Sequence, residues 1–262
     1  MDLERLTPKV ESAVERLCGA LGSWDEVDAV ALLLSGDDLY DPYFFLSLDV
    51  YTNDPVRGPE DRRRAFGEVT VFESSPLTHK DRFLVGEIPF RAEYKQTARF
   101  DQLVAEAHAG RSILREGGTY AFHRVVTARE LYASGSWFAD IRSKMSALPT
   151  AFWDDLRANQ AANAEHTYAD LSAAAVRGDE LYFAISAGRF VTAICSLLFA
   201  VNKQLEPSPR ALYDEVAELP TVPDSFPANL ENFVGVSSLS MGQRRELAEI
   251  MVTSVMSLYG SR

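Results

Sequence analysis

Apolar positions recur along this chain with two different spacings, and the change falls near residue 110. Before it, helical and alternating stretches mix; after it, the spacing is helical almost throughout. Thr7-Pro8 supplies an N-cap and an N1 proline to a first helix whose apolar stripe is Val10, Val14, Leu17 and Leu21, ending near Gly22. Residues 27–34 (VDAVALLL) are β-branched and apolar with little polarity between, as in a strand buried on both faces. The chain turns at Ser35-Gly36-Asp37-Asp38 and resumes in a second strand over 43–52 (YFFLSLDVYT). Residues 53–59 read as a loop, 68–73 (EVTVFE) as a third strand and 88–95 (IPFRAEYK) as a fourth, followed by an amphipathic helix over about 97–109. The expectation is a sheet of four or five strands within 25–96 and no strand beyond 118.

The second half predicts helices over 119–133, 137–147, 150–176, 179–204, 209–218, 224–234 and 241–258. Gly178 before Asp179 suits a C′ glycine abutting the next N-cap, Ser208-Pro209 repeats the cap-and-proline pair, and Ser240 with Gln243 makes a capping box. Glycines 110, 117 and 118 mark a boundary, so 1–112 is expected as an α/β domain with a mixed sheet and 113–262 as a helical bundle.

Charge narrows the partners. With 38 acidic and 26 Lys/Arg side chains, the formal net charge is −12, which disfavours general nucleic-acid binding. The longest apolar run, 190–201, falls short of the roughly 20 residues a membrane span needs, so no membrane partner is expected. The N-terminus lacks the pattern of a signal peptide, and two cysteines without a CxxC pair suit a reducing cytoplasm.

Motifs for serine hydrolases, zincins, P-loops and dinucleotide folds are absent, and the four histidines are scattered. The informative stretch is 32–95. On the second strand Phe45, Ser47, Asp49 and Tyr51 share one face, and Asp49 interrupts an otherwise apolar run. A carboxylate there needs a cation. Glu93 interrupts the fourth strand in the same way, so neighbouring strands would bring Asp49 and Glu93 onto one metal ion.

A strand ending in Ser35-Gly36, a second strand bearing Ser47-Leu48-Asp49, a later acid at Glu93 and a C-terminal helical partner (RGDELYFAISAGRFVTAICSLLFAVNKQLEP) resemble the nucleotidyltransferase superfamily of the DNA polymerase β type. The resemblance is to its bacterial small-molecule and uncharacterised branches. Two positions depart from the family pattern: its Gly-Ser is inverted here, and Ser47 replaces the first acid of Asp-x-Asp. The resemblance implies Mg²⁺-dependent transfer of a nucleoside monophosphate from an NTP to a small-molecule acceptor. Asp49 and Glu93 would hold the metal, with Asp41 as a substitute ligand, and Ser35, Gly36, Asp37, Asp38 and Lys95 would meet the nucleotide. The alternative is a catalytically impaired descendant of the fold that binds a nucleotide or a protein partner. Plainer roles are open for the same residues: Asp37, Asp38 and Asp41 as turn formers, and Asp49 and Glu93 as ion-pair partners of Arg91, Lys95 or Arg82. Arg62-Arg63-Arg64 and Lys80-Asp81-Arg82 read as solvated loop charges. Tyr40 and Tyr43 are the aromatics placed to stack on a base.

Overall fold

The computed structural model describes residues 8–35, 45–75, 77, 79–111, 118–235 and 239–260. The chain divides into two compact units, Met1–Ala105 with Arg124–Ala147, and Glu106–His123 with Leu148–Arg262. The division is therefore not one cut near 112: residues 124–147 return to the first unit.

The first unit is built on a six-stranded mixed sheet. In chain order its elements are α1 (Pro8–Gly22), β1 (Val27–Ser35), β2 (Phe45–Thr52), α2 (Pro59–Phe66), β3 (Thr70–Ser75), β4 (Lys80–Val85), β5 (Ile88–Gln96), α3 (Thr97–His108), α4 (Tyr120–Thr127), β6 (Arg129–Ala133) and α5 (Trp137–Ser146). Strand order is β3-β4-β5-β2-β1-β6. Only the β2–β5 pair is parallel, and its register sets Asp49 directly beside Glu93. One face carries Val30, Leu32, Leu46, Leu48, Val50, Phe83, Phe90 and Ala92, packed on the apolar stripe of α1 and on Phe66 of α2. This apolar face is the core of the unit.

Three elements depart from the sequence expectation. Residues 59–66 form helix α2 because Gly58 precedes Pro59, Glu60 and Asp61 fill the first turn, and Arg63 and Arg64 the last, each end matching the helix dipole. Residues 80–85 form β4, joined to β5 by a two-residue turn at Gly86 (φ 61°) and Glu87. The expected helix over 119–133 stops at Thr127, and 129–133 pairs with the open edge of β1, which overturns the expectation of no strand beyond 118. Arg142 of α5 donates to the carbonyl oxygens of Val125 and Ala128, capping α4 where the strand takes over.

The second unit contains α6 (Thr150–Arg177), α7 (Glu180–Val201), α8 (Leu212–Val216), α9 (Phe226–Val234) and α10 (Met241–Gly260). Gly178 (φ 69°) ends α6 in the left-handed conformation, and Asp179 Oδ1 accepts from Tyr182 N to start α7, as the sequence suggested. Ser240 and Gln243 form the expected reciprocal cap of α10. Ser208-Pro209 opens no helix; α8 begins at Leu212. Helix α7 is long and apolar enough to cross a membrane by length and composition alone. Its apolar residues from Phe190 to Val201 instead form the core of this unit with α6, α9 and α10.

Candidate functional site

The face of the sheet opposite the α1 core is where the sequence placed its candidates. Alternation on β2 points Ser47, Asp49 and Tyr51 to this side, and alternation on β5 adds Arg91, Glu93 and Lys95. The antiparallel β4–β5 register sets Lys80 opposite Glu93 and Arg82 opposite Arg91. Tyr51 packs on Phe100 of α3 and on Trp137 and Phe138 of α5, which buries the inner end of the face.

Asp49 is fully buried, and its carboxylate is taken up by cations. Oδ2 accepts from Lys95 Nζ at 2.6 Å and from Arg124 Nε at 2.9 Å, while Arg124 Nη2 bonds Oδ1. Tyr51 Oη stands 3.4 Å from Oδ2. Glu93 lies within 3.2 Å of Lys80 Nζ and 3.1 Å of Arg91 Nε, with Lys95 at 3.8 Å and Arg124 at 3.9 Å. Ser47 Oγ accepts from Arg124 Nη2 at 3.0 Å and from Arg91 Nη2 at 3.2 Å. The Arg91 guanidinium lies 4.2 Å from the Phe45 ring centroid. Exposure rises from the floor outward, with side chains 5% exposed at Arg124, 15% at Lys95, 19% at Arg91 and 32% at Lys80.

Electrostatics follow from this packing. Burial opposes ionisation of Asp49, but the adjacent Lys95 and Arg124 charges outweigh it and hold the carboxyl below its usual range. Glu93 is lowered by the same balance. For Lys95, burial beside the Arg124 charge exceeds the help from Asp49 and lowers the ammonium. Burial, reinforced by the Asp49 charge, pushes the Tyr51 phenol well up, so it stays a neutral donor.

Asp49 and Glu93 therefore converge as the sequence suggested, and Lys95 joins them. The plainer expectation, that these acids pair with Arg91 and Lys95, also describes what is seen. Arg82 stands opposite Arg91, with Glu73 of β3 facing it on the other side. Ser35 closes β1 opposite Phe45. Gly36, Asp37, Asp38, Asp41, Tyr40 and Tyr43 lie outside the described residues.

Among the described residues the arrangement does not fit a divalent cation. A bound Mg²⁺ needs carboxylate oxygens at roughly 2.0–2.1 Å in near-octahedral array. Both oxygens of Asp49 are engaged by cations, and among the described residues no three His, Cys, Asp or Glu side chains converge as a metal group. Ser47 adds no carboxylate to the pair. An acid there would add a second negative charge beside Asp49; the hydroxyl instead accepts from two guanidinium groups.

Arg124 is the site residue that sequence reading missed. It stands in an apolar helical run, YAFHRVV, where a buried guanidinium demands a buried acid, and Asp49 was the acid already seen to need a partner. The arginine cluster was misread too. Arg62 is buried and grips Asp81 with two bonds, of 2.7 and 2.8 Å, on the core side of the sheet.

Comparison with known proteins agrees with this architecture. A nucleotidyltransferase-like protein from Exiguobacterium sibiricum 255-15 superposes with a TM-score of 0.51 at 12% identity, covering 94% of this chain and 74% of that one. The fold is nucleotidyltransferase-like: an α/β unit with a mixed sheet, and a helical region. A domain of unknown function, DUF4037, matches residues 119–210, less than half of the chain. No curated protein matches.

Proposed function

We propose that this chain is a nucleotidyltransferase-fold protein that holds a nucleotide by its phosphates and has an ion-pair cluster in place of a metal-carboxylate centre. The observation that carries the reading is Asp49: its two oxygens are occupied by Arg124 and Lys95. Around Asp49 and Glu93 stand Lys80, Arg91, Lys95 and Arg124, so among the described residues four cations meet two carboxylates. In a chain of formal charge −12, this patch is where a phosphate chain is drawn. The Arg91 guanidinium suits phosphate oxygens, and the ammonium groups of Lys80 and Lys95 add point charge. The free cysteines Cys18 and Cys195 accord with a cytoplasmic setting.

The adjacency of Asp49 and Glu93 favours a second reading, Mg²⁺-dependent nucleotidyl transfer to a small-molecule acceptor. That reading requires Lys95 and Arg124 to leave Asp49 before a metal can enter.

One experiment separates the two. Thermal unfolding is followed with ATP, GTP, CTP and UTP, in EDTA and with Mg²⁺ or Mn²⁺, and pyrophosphate release is assayed in parallel. The proposal expects stabilisation without metal, about 2.7 kcal/mol at a hundred times Kd, and no pyrophosphate. Metal-dependent pyrophosphate release abolished by Asp49→Asn would establish the second reading.

A further inference from the structure

Helix α4 is held at its start by a loop of the second unit, and a buried acid closes that contact. We propose that Glu206 is a proton-controlled latch on the first turn of α4: with its proton it holds the turn, and without it the turn is released. The inference is independent of the phosphate-binding reading. Asn202 fixes the loop after α7, donating through Nδ2 to the carbonyl oxygens of Leu198 and Thr221 at 2.8 Å and accepting at Oδ1 from Thr221 N. Further along the loop, the Glu206 backbone N–H donates to Thr119 Oγ1 at 2.7 Å. Thr119 is the N-cap of α4, its carbonyl oxygen accepting from His123 N at 3.0 Å. A cap hydroxyl ordinarily serves an amide of its own first turn. This one is spent on the loop, which ties the start of the helix to Glu206.

The side chain lies on the same contact. Glu206 is 7% exposed, and among the described residues its Oε1 has no hydrogen-bond partner. Gly118 makes room for the carboxyl: its backbone is left-handed (φ 54°), and a Cβ there would fall 2.1 Å from Oε2 and 2.7 Å from Oε1. From α7, Ser196 donates a hydrogen bond to the carboxylate, and the Cys195 thiol, pushed up to about 12 by burial and by the Glu206 charge, stays neutral. Among the described residues no Lys, Arg or His stands against the carboxylate. The start of α4 offers only the partial charge of a helix N-terminus. A buried carboxylate with one donor and no cation is costly, whereas the carboxylic acid is not, and burial raises the pKa from 4.5 to about 7. Below that value the proton stays and the contact persists. Above it the proton goes to water, and the carboxylate gains by leaving Gly118 for solvent, drawing its backbone N–H off Thr119. The helix so released is the one whose Arg124 bonds both oxygens of Asp49.

The test is hydrogen–deuterium exchange of the full chain between about pH 6 and about pH 8.5, read by mass spectrometry and corrected for the intrinsic pH dependence of amide exchange. Protection over residues 118–127 should fall about tenfold across that range, because the opening equilibrium follows the gap between the raised pKa of about 7 and the ordinary 4.5. Residues 190–201 of α7 should stay better protected than 118–127 at both ends of the range, as a local opening requires. No fall over 118–127 overturns the latch. Equal protection of the two segments at the alkaline end means that they open together, and overturns it too. Glu206→Gln cannot ionise, so its protection over 118–127 should be the same at both pH values; a fall as large as in the wild type assigns the titration to another group and overturns the proposal. Ser196→Ala keeps the acid and removes its donor, so the midpoint of the fall should move to higher pH. A midpoint that stays or moves down overturns the assignment even if Glu206→Gln does not fold.

Discussion

The two faces of the central sheet each carry a buried ion cluster, and they differ in stoichiometry. On the core side, Arg62 of α2 meets Asp81 of β4 one to one, and the remaining capacity is filled by neutral groups. Tyr94 Oη donates to Asp81 at 2.7 Å, and Arg62 donates to Ser74 Oγ and to the Arg57 carbonyl oxygen. On the other side, among the described residues, four cations crowd two carboxylates. A balanced pair with every polar atom satisfied fastens α2 to the sheet and leaves nothing for a ligand to add. A cluster in which the described cations outnumber the described acids is the one we propose for phosphate recognition. Both are buried arginine–aspartate contacts, so burial alone does not tell structure from function.

The largest expected effect is on stability. Arg62→Ala leaves the buried Asp81 uncompensated and should cost about 3–5 kcal/mol in urea unfolding, with no relief from added phosphate. Asp49→Ala leaves Lys95 and Arg124 uncompensated and should cost about as much. Phosphate should restore part of that loss, because it can replace the missing charge. Identical responses of the two variants to phosphate would break the contrast.

Next comes a buried acid with no cation against it among the described residues. Glu206 in the second unit is buried, its carboxylate so close to Gly118 (φ 54°) that a Cβ there would fall 2.1 Å from Oε2. Its backbone N–H donates to Thr119 Oγ1. Burial raises its pKa to about 7, only partly offset by a hydrogen bond from Ser196. A raised folded pKa means that the stability it allows is full below the ordinary carboxyl value of 4.5 and lost as pH rises to about 7. Glu206→Gln should therefore gain on the order of 3 kcal/mol at pH 8 and flatten that part of the stability profile. Asp49 has the opposite sign. Its lowered pKa contributes stability above the ordinary value of 3.8, lost as acid protonates the carboxylate. Denaturation midpoints across pH 2–9 check both directions.

Smaller still is the effect of Ser47→Asp. A carboxylate between Arg91 and Arg124 would offset part of their charge and lower inorganic tripolyphosphate affinity about tenfold, roughly 1.4 kcal/mol. Unchanged affinity, read by titration calorimetry, would show that these two arginines do not do the binding.

Much of this was legible in the sequence, and the misses have physical causes. Alternation on β2 and β5 put Asp49 and Glu93 on one face, and the capping signals at Gly178-Asp179 and Ser240-Gln243 carried through to atoms. Residues 129–133 (RELYA) have helix-forming side chains, and only the unpaired edge of β1 makes them a strand. Residues 59–66 held their helix signals openly, in Gly58-Pro59 and the acid-to-base order, but a run of arginines reads as solvent-exposed until the buried acid that needs one of them is known. The same blindness hid Arg124. Its pairing with Asp49 spans 75 residues, a separation at which no local pattern operates.

The central claim, that cations occupy the place of a metal at Asp49, is tested most directly by Mn²⁺ titration followed by electron paramagnetic resonance. Added Mn²⁺ should keep its full free-ion signal in the presence of wild-type protein, with no change on Asp49→Asn. Stoichiometric loss of that signal in the wild type, abolished by Asp49→Asn, would contradict the account.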